Sequence, residues 1–180
     1  MTSSQNLNQE QLMNWLELFG GPRSKGQEAR DHALDEMRAI GADKLFPPLM
    51  SLINDPNVEL DTRCQATRAV LGLDARKGIE LLLPLFNDPD TTFRWDICGL
   101  MHEFGDRCVF ESLIDRMKND PDPQIRGTAA YALGGIGDLE VIPVLLDTFN
   151  NDHEFDQLGY SPSFCAEQAI DEIQRKCKRE

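Results

Sequence analysis

The tripeptide Asn-Asp-Pro recurs at near-constant spacing, and this recurrence constrains the fold more than any other feature. It stands at Asn54-Asp55-Pro56, Asn87-Asp88-Pro89 and Asn119-Asp120-Pro121, with a decayed copy at Asn151-Asp152. Successive aspartates lie 33, 32 and 32 residues apart. Self-similarity at that period is the mark of stacked supersecondary units, each burying its apolar side against its neighbours.

One period shows what the unit is. After Asp120-Pro121, the residues Ile125, Ala129, Ala130, Leu133 and Ile136 follow helical spacing. Gly134, Gly135 and Gly137 are expected to stop that helix. Asp138 is placed to cap a second helix carrying Val141, Ile142, Leu145, Leu146 and Phe149. The unit reads as helix, tight turn, helix. The same template places Arg63, Ala66, Val70 and Leu73 in one period, and Arg94, Ile97, Met101 and Phe104 in the next. Arg30, Ala33, Met37 and Ile40 fill it earlier, and Ser163, Ala166, Ile170 and Ile173 fill it last.

The expected fold is therefore all-α, an α-α superhelix of about four to five helical hairpins in a single domain over 1–180. Repeats fall at about 26–53, 55–86, 88–117 and 120–149, with a partial one at 151–180. Leu12, Trp15, Leu16 and Phe19 make one stripe, so residues 8–19 are expected to form an N-terminal capping helix. Gly20-Gly21-Pro22 is expected to end it, and Arg23 to Gln27 to link it to the stack. Pro56, Pro89 and Pro121 are expected to begin helices, where a missing N–H matters little.

The pattern Asp-Pro, then Arg-x-x-Ala, then Ala-Leu-Gly-x-Ile-Gly-Asp resembles the HEAT repeat, and most of all the short bacterial subtype first named for phycobilisome lyases. The resemblance spans 26–150 well and 151–180 loosely. It implies a HEAT/armadillo-like solenoid. In the third repeat Trp95, His102 and Glu103 replace the small residues of the pattern.

Bulk properties narrow the function. A formal charge of −13 repels phosphate backbones, so nucleic acid, including the duplex target of HEAT-like repair glycosylases, is not an expected partner. The one concentrated basic run, Arg175 to Arg179, reads as cations near a helix C-terminus. Five cysteines without a Cys-x-x-Cys pair read as buried free thiols of a cytoplasmic protein. The polar opening MTSSQNLNQE predicts no signal peptide, and no apolar run is long enough to predict a membrane span. No nucleophile stands with a base and an acid, and Gly134 to Gly137 follow a helix, not a strand, so neither a catalytic residue nor a nucleotide loop is expected.

Several residues stand out as candidate contacts. Arg30, Arg63, Arg94 and Arg126 share one repeat position, from which an arginine can fix stacking by reaching the aspartate turn of its own or a neighbouring repeat, or can meet a ligand. Trp95 is either a surface anchor or packed against the preceding repeat. Second helices usually line the concave face of such stacks; Lys44, Pro47, Ser51 and Lys77 would begin that surface and Glu80, Pro84, Glu111, Asp115, Glu140, Pro143 and Asp147 would continue it. A wall that turns acidic along its length suits a protein partner with a basic surface. The insertion at 150–162 breaks the period and carries Asp152, His153, Glu154, Phe155, Asp156, Leu158 and Tyr160, as a contact loop or as a connector. His102-Glu103 and His153-Glu154 are similar to the dipeptides with which the HEAT-like deoxyhypusine hydroxylases bind iron. Those two pairs occupy non-equivalent repeat positions, so no metal and no cofactor is expected. The leading expectation is a non-catalytic scaffold or adaptor that binds another protein. The subtype's resemblance implies an alternative, a bilin lyase-type subunit that attaches or detaches tetrapyrroles.

Overall fold

The computed structural model describes residues 9–19 and 26–178. The expected helix stop at Gly20-Gly21-Pro22, most of the following link, the first residues and Arg179 lie outside them. The chain forms two compact units, Met1–Gly78 and Ile79–Glu180. Among the described residues all regular structure is helical and there is no strand.

The first unit holds α1 (Gln9–Glu17), α2 (Gln27–Ile40), α3 (Ala42–Asn54) and α4 (Leu60–Leu73). Helix α3 packs antiparallel on α4 across the Asn54-Asp55-Pro56 turn, and α2 packs against both. Helix α1 lies on α4, burying Leu12, Trp15 and Leu16, while Trp15 Nε1 donates to Glu36 of α2 at 2.8 Å. Lys77 Nζ donates to Asp43 at 2.5 Å, joining the starts of two successive second helices. The second of these, α5 (Ala75–Leu82), carries the chain into the next unit.

The second unit begins with a 3-10 stretch, Leu83–Asn87, where Pro84 removes an amide that an α-helix would need. It continues with α6 (Thr91–Phe104), α7 (Phe110–Asn119), α8 (Pro123–Ile136), α9 (Ile142–Asn151) and α10 (Pro162–Cys177). First helices α6, α8 and α10 pack closely in succession, whereas second helices α7 and α9 barely touch. Small residues on α8 permit the crowding. A Cβ on Gly134 would lie 2.7 Å from Ala169 Cα, and one on Gly127 would lie 3.0 Å from Cys165 Sγ.

Repeat-equivalent apolar positions are buried throughout, including Met37, Val70, Met101, Leu133 and Ile170. The helix boundaries differ from expectation in two places. Gly134 and Gly135 do not stop α8: both lie within its last turn, and Gly137, at φ 81°, is the residue that ends it. Nor do Pro56, Pro89 and Pro121 begin helices, since they sit in the turns before them. The aspartate ahead of each accepts a hydrogen bond from the backbone N–H two residues on: Asp55 from Asn57, Asp88 from Asp90, Asp120 from Asp122. The caps come later, with Asp90 accepting from Phe93 N and Asp122 from Gln124 N.

The thiols also depart from expectation. Cys64 and Cys98 are buried and Cys165 is half-buried, but Cys108 and Cys177 are exposed. Burial, reinforced by the charge of Asp120, pushes the Cys98 thiol up to about 12.

Candidate functional site

The arginine column builds the scaffold of the site. Arg94 donates Nη1 to the carbonyls of Asp88 and Pro89 in the turn before its own helix. Its Nε and Nη2 reach forward to the carboxylate of Asp120 in the next turn. Arg126 repeats the geometry one unit later: Nη1 bonds the carbonyls of Asp120 and Pro121, and Nε and Nη2 hold Asp152 at 2.6 and 3.1 Å. Arg126 also takes Glu154 at 2.7 Å, so one guanidinium pins the start of the insertion. Those carboxylates hold the Arg126 guanidinium above its ordinary range despite partial burial. In the first unit Arg63 donates Nε to Ile53 O, and Arg30 is half-buried near the start of α2.

The rest of the insertion folds on itself. Asp156 Oδ1 accepts from both Leu158 N and Tyr160 N, Asp156 N donates to Tyr160 O at 2.7 Å, and Gly159 takes φ 83° to close the turn. Ser161 then caps α10 by accepting from Phe164 N. This tight turn presents Leu158 and Tyr160 to the outer face of α8 and α10.

A cleft of about 420 Å³ results, walled by α6, α8, α10 and the insertion. Trp95, Gly127, Tyr131, Leu158, Tyr160 and Phe164 line its apolar part. Trp95 directly follows Arg94, and Gly127 directly follows Arg126. Phe164 directly follows Ser163, which fills the same position of the last repeat. Two aromatic residues on flanking helices thus flank a glycine, whose missing side chain lets Cys165 and Pro162 of α10 come close. Both tyrosines of the chain and one of its two tryptophans are here. These rings are 42–52% exposed, a large apolar area left open to water. Tyr160 and Phe164 pack at 5.7 Å between centroids, and Tyr131 stacks in parallel on His102 at 4.0 Å.

One end of the cleft is polar. Glu172 accepts from His102 Nε2 at 3.3 Å and pairs with Lys176 at 3.0 Å, and Lys176 also donates to Gly135 O. Burial works to raise the Glu172 carboxyl, but the bonds from Lys176 and His102 outweigh it and leave it below its ordinary value. His153 instead meets Asn150 O in the insertion, so the two His-Glu pairs stand in unrelated surroundings. No cluster of three potential metal ligands occurs among the described residues.

The structure brings together Trp95 and Tyr160. Phe155, 70% exposed, does not line the cleft. The acidic candidates Glu80, Glu111, Asp115, Glu140 and Asp147 are all exposed, away from the cleft lining. Three of them are engaged internally: Asp115 with Arg116 and Asn119, Asp147 with Asn151, and Glu140 with Arg107, which also holds Asp138. Hydrogen bonds from Arg116 and Asn119 keep the Asp115 carboxyl below its ordinary value. Sequence reasoning missed Tyr131 and Phe164, and named Leu158 only as part of the insertion. The signal that finds Phe164 is the aligned column Trp95, Gly127, Phe164.

Among the described residues no helix is long and apolar enough to cross a membrane. No curated protein matches the chain. The family model of HEAT repeats matches residues 79–157, so the α6 to α9 stack, which supplies the α6 and α8 walls of the cleft, is similar to HEAT repeats.

Proposed function

We propose that this chain is a helical-repeat scaffold that binds a segment of another protein in the cleft of α6, α8 and α10, with the 150–162 insertion as one wall. One observation carries the reading: four aromatic rings, from α6, α8, α10 and the insertion, converge on one open groove, where packing alone would have buried them. Stacked repeats present extended surfaces of this kind to protein partners, and the HEAT-like stretch includes the α6 and α8 walls of the cleft.

Selection of random phage-displayed peptides on the wild-type protein tests the reading. Enriched peptides are expected to lose about tenfold or more in affinity for Trp95→Ala and Phe164→Ala. They are expected to keep their affinity for Glu111→Gln and Asp147→Asn. Peptides that bind both aromatic variants as well as wild type reject the cleft.

A second reading, a tetrapyrrole-handling lyase-type subunit, is favoured by the same aromatic lining, which suits a flat conjugated ligand. A bilin titration decides between them. A shifted bilin absorption band that Trp95→Ala removes supports the second reading, and an unchanged spectrum rejects it.

A further inference from the structure

The charges at the rim of the groove say which side chain it receives. Asp156 spends Oδ1 on two backbone N–H groups of its own turn, and its Oδ2 makes no hydrogen bond among the described residues. This leaves an acceptor, half-buried, on the wall beside Tyr160 and Leu158. Glu172 contributes a second carboxylate at the other end of the lining. The one cation of the lining, Arg175, is tied by its Nε to Asp171 O on its own helix.

Aromatic faces carry partial negative charge and attract cations, most strongly when the site is partly desolvated. Trp95, Tyr160 and Phe164 offer such faces in the same cleft as the unspent oxygen of Asp156. The surrounding field is of the same sign, since the chain carries a formal charge of −13. A carboxylate-bearing segment would meet repulsion from Asp156, whereas Glu172 is already paired with Lys176 and His102.

Resting on the reading of the cleft as a protein-binding groove, we infer that its occupant is a segment anchored by an arginine or lysine side chain, seated against Trp95 and Phe164 with its charge toward Asp156. Arginine fits better than lysine because its planar, weakly hydrated guanidinium stacks on rings while still donating to a carboxylate. Apolar neighbours of that cation would cover Leu158 and Tyr131.

Fluorescence anisotropy with three short capped peptides tests this, each with a Leu-Xaa-Leu centre where Xaa is arginine, its neutral isostere citrulline, or glutamate. The arginine peptide is expected to bind about tenfold more tightly than the citrulline peptide, and the glutamate peptide not at all. Asp156→Asn keeps an Oδ1 acceptor for the turn and is expected to remove most of the arginine preference. Raised salt is expected to weaken the arginine peptide selectively. Equal binding of arginine and citrulline peptides, both lost in Trp95→Ala, overturns the cationic anchor while the groove stands. Failure of all three peptides also overturns it, and the phage selection then judges the groove separately.

Discussion

Arg94 grips both carboxylate oxygens of Asp120, Nε at 3.0 Å and Nη2 at 3.1 Å, across 26 positions of chain. The Asp120 side chain is fully buried, and Arg116 also reaches it from α7 at 3.3 Å. This pair ties the turn before α8 to helix α6 and so fixes the distance across which the cleft opens.

Replacing Arg94 by alanine leaves a buried carboxylate with Arg116 and the Asp122 N–H but without its two-pronged partner. The expected loss is about 3 kcal/mol or more. Arg94→Lys keeps the charge but not the two-pronged geometry, and is expected to recover only part of the loss. Urea unfolding midpoints check both. A midpoint of Arg94→Ala close to wild type would mean that the pair does not hold the stack.

Arg126 fastens Asp152 and Glu154, and through them the wall of the cleft. In Arg126→Ala the segment 153–160 is expected to be cut by trypsin-independent proteases such as thermolysin several times faster than in wild type, while the helices keep their circular dichroism. Cleavage at the wild-type rate would show that the turn around Asp156 holds itself.

Gly134 tests the crowding of first helices. An added methyl would lie 2.7 Å from the backbone of Ala169, where only a shift of α10 relieves it. Gly134→Ala is expected to destabilise by about 1–3 kcal/mol even though alanine favours helices. Thermal melting measures this, and a rise in Tm would contradict the packing described.

Glu172 gives the acid dependence. Its carboxyl in the folded protein lies below the ordinary value of 4.5. Between the two values the unfolded chain binds the extra proton, so stability rises with pH across that window. The contribution is complete above about pH 4.5 and fades as acid takes the carboxyl through its folded value. Glu172→Gln is expected to flatten this part of the stability–pH curve, measured by urea midpoints. Identical acid limbs in variant and wild type would remove Glu172 from the balance.

The two kinds of information divide along a physical line. The Asn-Asp-Pro period and the 3.6-residue recurrence of Met101, Leu133 and their equivalents determined an all-α repeat, because local backbone preference and one-sided burial act within a single period. The arginine column was visible for the same reason, as was Trp95, an aromatic residue out of register with its column. What Arg94 bonds was not visible, since both its own turn and the next lay within reach of the side chain. The role of Gly134 was hidden too: a glycine near a helix end reads as a stop, and only the approach of Ala169 shows it to be a contact. Tyr131 and Phe164 belong to separate segments, each unremarkable alone. They share a surface only because the first helices pack closely and Arg126 pins the insertion beside them. Repetition along the chain is written in residue spacing, whereas a groove is decided by how far apart the packed backbones come to rest.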